Sequence, residues 1–236
     1  MKSRRILELD ATRGLAILLM IIFHFSYDLS YFKFADFKVN QGYWDWFRYI
    51  IVTLFFSVSG ISMVLATRNG IRWKQYLFRV SQVVAGAIAV TLATWFVFPK
   101  SWVYFGVLHF IAVSMLAGLL FIRIPVIALI TGISIFLLFN LTNWFNLHWL
   151  YIELKPILHL PRGTQDLTRF IPWFGMILIG IWLGHQNWRP NLPHSRWLNA
   201  LAWMGRHSLA IYLIHQIVLF ELVNAAYHIK QMLAAS

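Results

Sequence analysis

From Ala11 to Phe32 the chain is apolar for long enough to cross a bilayer as one helix, yet this run holds Arg13, His24 and Asp28, with Asp10 at its edge. As a helix it rises about 33 Å, the thickness of a hydrocarbon layer. A plain anchor needs no ionisable side chain. Inside a span each costs about 3 kcal/mol or more and marks a pathway or a site. At ~100° per residue Asp10 and Asp28 share one bearing, and His24 precedes Asp28 by the four residues that bring helical side chains together. Arg13 and His24 differ by about 20° in bearing and roughly 16 Å along the axis. One polar stripe therefore runs from the basic lead at Arg4 and Arg5 past the midplane. It reads as the wall of a reaction channel.

The remainder of the chain suits the same solvent. Of 236 residues, 60% are hydrophobic and 12% charged, and the mean hydropathy of +0.66 excludes an ordinary soluble domain. The expected architecture is all-α, a polytopic helix bundle with about seven transmembrane helices, forming a single domain over residues 1–236. With no cysteine, disulfides, thiolate metal sites and a cysteine nucleophile are excluded. A net charge of +12 would suit nucleic acid in a soluble protein. In a membrane protein it reflects basic cytoplasmic loops and anionic lipid headgroups, so nucleic acid is not an expected partner. The first apolar run exceeds a signal peptide in length and no A-x-A-like site follows it, so it is read as the first span.

Further apolar runs are expected to cross at Trp46–Ala66, Val80–Phe98, Phe105–Ile122, Val126–Leu141, Phe170–Gly184 and about Met204–Tyr227. Ser57, Ser59, Gly60 and Ser62 in the second are small enough for close helix approach. Residues 142–168, rich in Trp, Tyr and Leu, read as a loop folded onto the membrane face with a short interfacial helix. Lys and Arg, including Lys2, Arg68, Arg72, Lys74, Arg79 and Arg189, fall mainly in the loops assigned to the inner face. That bias directs the N-terminus to the cytoplasm, with a bacterial inner membrane as the expected location.

Each chemically capable group has a functional and a structural reading. His24 with Asp28 is either a general base oriented by a carboxylate or a buried pair that holds helices together. The Asp10-x-x-Arg13-Gly14 motif is an i, i+3 ion pair at a helix start, or a guanidinium fork for an anion beside a glycine that lets a ligand or a helix come close. His109 opens the fourth span, a second catalytic imidazole or a hydrogen-bonded interface residue. In GRHSLAIYLIHQ, Ser208, Tyr212 and His215 share one helical face, with Arg206 and His207 at its inner end. There they dock a phosphate or act as polar glue. Glu153, His159, Arg162 and Asp166 of the outer loop either touch a polar substrate or are solvated. No metal is expected, since no His pair has i, i+3 or i+4 spacing.

These residues also resemble a family. Asp10-Ala-Thr-Arg13-Gly14, Ile21-Ile-Phe-His24 and Tyr27-Asp28-Leu29 are similar to the first span of the heparan-alpha-glucosaminide N-acetyltransferase catalytic-domain family and, more distantly, of the wider group of membrane acyltransferases that modify cell-surface glycans. FFSVSGIS, YFGVLHFIA, RFIPWFGMILIGIWLG and GRHSLAIYLIHQ continue the likeness in order along most of the chain. The resemblance implies an acyl-CoA-dependent acyltransferase (EC 2.3.1 type) that takes an acyl group, acetyl above all, from acetyl-CoA on the cytosolic side. It would pass the group to an amine or hydroxyl of a sugar or other small polar acceptor on the far side. His24 matches the first-span histidine of the glycan acyltransferases and Arg13 the arginine of their D-x-x-R-G motif.

An extended pantetheine arm is of the same order as the roughly 16 Å from Arg13 to His24. His24 would deprotonate the acceptor, with Asp28 stabilising the imidazolium, and a short-lived acetyl-histidine is the variant mechanism. Tyr212, His215 and His109 are candidate donors to the oxyanion. The sites expected are thus His24, Asp28, His109 and His215 for catalysis, and Asp10, Arg13, Arg206, His207, Ser208 and Tyr212 for the acyl-CoA. The rival readings are a small proton-coupled transporter and a non-catalytic membrane scaffold; lipid is a partner in all three, and a homo-oligomer is left open.

Overall fold

Residues 6–37, 39, 41–142, 144–164, 166–186 and 195–235 are described by a computed structural model. The basic lead at Arg4 and Arg5, and Lys2 and Arg189 of the inner-face charges, lie outside the described residues. Those described form nine α-helices and one short 3-10 turn, with no strand among them. The all-α expectation holds. Four helices are long and apolar enough to cross a membrane: α1 (Leu7–Tyr31), α2 (Tyr43–Thr67), α3 (Trp73–Val97) and α9, the last over Ser208–Ala234. Three apolar helices are shorter, at Val107–Phe121, Pro125–Leu141 and Phe170–His185.

Two compact units divide the chain, Met1–Phe55 with Pro190–Ser236, and Phe56–Arg189. The first holds α1, the start of α2, α8 (Arg196–Arg206) and α9 (Ser208–Ala235). Its core is Ile17, Met20 and Ile51, against which Phe23, Phe47, Phe55, Met204, Ile211 and Tyr212 pack. The closest approach is backbone on backbone. A methyl group on Gly14 would collide with the carbonyl oxygen of Leu201, and one on Gly205 with that of Asp10. So Gly14 admits a helix, α8, and the D-x-x-R-G turn lies against its end. The opposite face of α1 exposes Leu15, Leu18, Ile22 and Phe25, as a helix wetted by lipid does.

The final span was expected to run unbroken from about Met204, but α8 stops at Arg206 and α9 begins at Ser208. His207 leaves helical geometry (φ −104°, ψ 17°) and its backbone N–H reaches the carbonyls of Trp203 and Met204. Its ring Nδ1 bonds the Trp203 carbonyl at 2.9 Å, satisfying carbonyls that a helix end leaves without partners.

The second unit holds the rest of α2, then α3, α4 (Val107–Gly118) with the 3-10 turn Leu119–Phe121, α5 (Pro125–Leu141), α6 (His148–Leu158) and α7 (Phe170–His185). Helix α7 is its core, burying Ile171, Phe174, Ile177, Leu178 and Ile181. Small residues again set the spacing: a Cβ on Gly60 would strike the Ile177 carbonyl, and one on Gly180 the Ser57 carbonyl. Gly60 of FFSVSGIS thus serves the close packing expected of it. Between α3 and α4 the Tyr76 hydroxyl donates to the Met115 carbonyl at 2.6 Å. The fourth apolar helix starts at Val107, two residues later than expected, because Phe105 bridges to Leu167 and Gly106 is the N-cap. Helix α6 fills the loop where a short helix was anticipated.

Candidate active site

The first unit gathers most of the polar residues that the sequence singled out. His24 on α1 lies against His215 on α9, ring centroids 5.0 Å apart and inclined at 70°. Asp28, one turn beyond His24, is 0% exposed. Its carboxylate does not bind His24 among the described residues; it accepts from the Gln216 side-chain amide, at 3.0 Å to Oδ1 and 3.4 Å to Oδ2. The expected His–Asp pair is therefore two cross-helix contacts, His24 with His215 and Asp28 with Gln216. The reason is geometric: α9 runs along the same face of α1 and presents two adjacent polar side chains to it.

The tautomer of His215 follows from its partner. Its Nδ1 lies 2.7 Å from the Tyr212 carbonyl oxygen, which only accepts, so Nδ1 carries the proton. In the neutral ring Nε2 then holds a lone pair. That nitrogen is buried with no hydrogen-bond partner among the described residues, and so is Oε1 of Gln216. A neutral His215 is accordingly an acceptor, and it could donate to an oxyanion only after taking up a proton.

Further down α1, Arg13 Nη1 pairs with Asp10 Oδ1 at 3.5 Å, both half-buried. The Gly14–Gly205 crossing brings this turn against the end of α8, where Arg206 and His207 are exposed. Because α1 is unbroken from Leu7 to Tyr31, the roughly 16 Å between Arg13 and His24 is a helical rise. Arg13 and Arg206 thus lie toward one end of this face, and the His24 and His215 imidazoles toward the other. Ser208 is the first residue of α9, and Tyr212 packs against the Ile17–Met20 core.

His109 belongs to the second unit, and its surroundings differ. The Gly106 N–H donates to its Nδ1 at 3.3 Å, which leaves the proton on Nε2. That nitrogen is 3.1 Å from the Thr91 hydroxyl, which in turn donates to the Val103 carbonyl at 2.8 Å. Both ring nitrogens are engaged in holding the start of α4. Asp166 caps the same start, accepting from the Val107 N–H at 3.0 Å. Glu153, His159 and Arg162 are exposed. In the same unit Tyr104 stacks with Tyr151 at 6.0 Å. Burial and the neighbouring Tyr151 push the Tyr104 phenol up, against a smaller downward pull from Arg169. Among the described residues no three His, Asp or Glu side chains converge as metal ligands.

A family profile, that of the heparan-alpha-glucosaminide N-acetyltransferase catalytic region, matches residues 5–217. The chain belongs to this family. No curated protein and no solved structure matches it. Together with the apolar helices, membership in the heparan-alpha-glucosaminide N-acetyltransferase family makes the chain a transmembrane protein of an acetyltransferase class. The match includes α1, α8 and the start of α9 through His215 and Gln216. Sequence reasoning missed Gln216 and the capping role of Asp166. A signal for Gln216 existed: it is a polar residue inside an apolar span, four positions after Tyr212 and so on one face with it.

Proposed function

We propose that this protein moves an acetyl group from cytosolic acetyl-CoA to an amine or hydroxyl of a sugar on the outer or luminal side of its membrane, a bacterial inner membrane. In this reading the four long helices and the three shorter ones are seven crossings, with the N-terminus inside. The shorter helices, of 15 to 17 residues, rise only about 23–26 Å and are met by local thinning of the bilayer. Arg13, beside Asp10, and Arg206 with His207 take the nucleotide phosphates. Ser208 and Tyr212 line the path along α9, and the pantetheine arm follows α1 to His24.

The acceptor's nitrogen or oxygen lone pair bonds to the acetyl carbonyl carbon, and the carbon–sulfur bond breaks with its electron pair going to sulfur. His24 removes the acceptor's proton. The Nε2 lone pair of His215 steadies the resulting imidazolium by accepting its N–H, and the Asp28 carboxylate balances the charge from one turn away. The proton then passes to the thiolate and CoA leaves as the thiol. His109, with both ring nitrogens occupied, serves the scaffold of α4 in this scheme.

The observation carrying the proposal is the contact of His24 with His215 beside a fully buried carboxylate. The test is acetyl-CoA turnover by the purified, reconstituted protein against His24→Ala. Loss of turnover with retained thermal stability is expected; equal rates would remove His24 from the mechanism.

A further inference from the structure

The catalytic scheme leaves Gln216 without a role, although it is the hydrogen-bond partner of the one fully buried carboxylate among the described residues. Its amide has two ends with different obligations. The NH2 group is committed to Asp28, donating at 3.0 Å and 3.4 Å to the two carboxylate oxygens. An amide in that orientation cannot flip without pointing its carbonyl oxygen at a carboxylate, so the position of Oε1 is fixed by Asp28. That oxygen is buried and has no partner among the described residues. A buried acceptor without a donor costs about 1–3 kcal/mol, so an oxygen held in this way is suited to a donor that arrives from outside the protein.

The adjacent residue narrows what that donor is. His215 contacts His24, Gln216 contacts Asp28, and His24 and Asp28 are one turn apart on α1. Both α9 side chains thus face the same stripe of α1, and both present unpartnered acceptors, Nε2 and Oε1. The thioester group of acetyl-CoA carries no N–H or O–H, and the nearest on the arm, a pantetheine amide, lies two methylenes behind the sulfur. An acceptor amine or hydroxyl offers one at the reacting centre itself.

We propose that Gln216 is a further functional residue: it holds Asp28 in place through its amide and offers its carbonyl oxygen to an N–H or O–H of the acceptor substrate. It is a positioning residue toward Asp28 and a specificity residue toward the acceptor. This rests on the transferase reading above for its meaning, but its test does not depend on turnover.

The experiment uses the full chain in lipid nanodiscs and glucosamine as the probe, with equilibrium binding of glucosamine and of acetyl-CoA measured separately. Gln216→Met removes both polar ends at similar volume. It is expected to weaken glucosamine binding by about tenfold and leave acetyl-CoA binding within about twofold. Gln216→Glu keeps an acceptor oxygen and, by sharing one proton with Asp28, a donor to it. It is expected to recover most of the lost affinity, and in turnover assays the defect of the Met variant falls on KM for glucosamine and not on KM for acetyl-CoA. Failure of the wild type to bind glucosamine, an unchanged affinity in Gln216→Met, or an equal loss for both ligands with a lowered Tm would overturn the proposal, the last reducing Gln216 to packing. If the wild type binds glucosamine but transfers no acetyl group, the transferase reading fails while the role of Gln216 is still decided by the affinities.

Discussion

His215 and His109 are half-buried histidines in apolar helices, and their hydrogen bonds set them apart. Both ring nitrogens of His109 have a protein partner: the Gly106 N–H donates to Nδ1, and the Thr91 hydroxyl accepts from the Nε2–H and donates to the Val103 carbonyl. Around His215 only Nδ1 is satisfied, by Tyr212, and Nε2 has no partner among the described residues. A closed network fixes a helix start. An open one retains the capacity to bind or to take a proton. Burial alone would not have separated the two; the direction of each hydrogen bond does.

That contrast can be broken most directly at the histidines of the first unit. His24→Ala is expected to lower acetyl transfer by about a hundredfold or more while Tm stays near the wild-type value. A comparable loss of rate in His109→Ala, measured per folded molecule, would erase the distinction between the units. Next in size are the glycine crossings. Gly205→Ala and Gly180→Ala each force a methyl group onto a carbonyl oxygen and should cost roughly 1–3 kcal/mol in denaturant unfolding. The change at Gly205 should also depress the rate of the molecules that remain folded, because it displaces α1 from α8.

Smaller effects sharpen the comparison. Arg13→Ala is expected to weaken acetyl-CoA binding by about tenfold in a titration without unfolding the protein; unchanged affinity would count against a phosphate-binding role. His109→Ala should cost about 1–2 kcal/mol of stability, since the Gly106 N–H and the Thr91 hydroxyl lose their partner, and should leave the rate per folded molecule intact. Smallest of all, removing the exposed Asp45–Arg48 pair at 3.3 Å with Arg48→Ala should change stability by less than about 1 kcal/mol.

What the sequence disclosed followed helical periodicity. The polar stripe on α1 was legible because residues four and eleven apart on one helix have fixed relations whatever surrounds them. The Asp10–Arg13 pair was legible for the same reason and is present. The partners of His24 and Asp28 were not, because they come from α9, nearly the whole length of the chain away, and no local rule sets which residue of one helix faces which of another. The reading therefore joined His24 to the carboxylate one turn on, where the folded chain joins each to its own neighbour on α9. The break at His207 was not legible because GRHSLAIY contains no proline; there the His207 side chain turns back to the Trp203 carbonyl.

The glycine crossing between α1 and α8 bears on how the protein is made. One half of the proposed site is carried by α1 and the other half by α8 and α9, with Asp28 and Gln216 188 positions apart in the chain. The second half is therefore translated well after the first, and until then the charged face of α1 needs a temporary companion in the bilayer. A chaperone or insertase that shields that face during translation would govern the yield of active molecules.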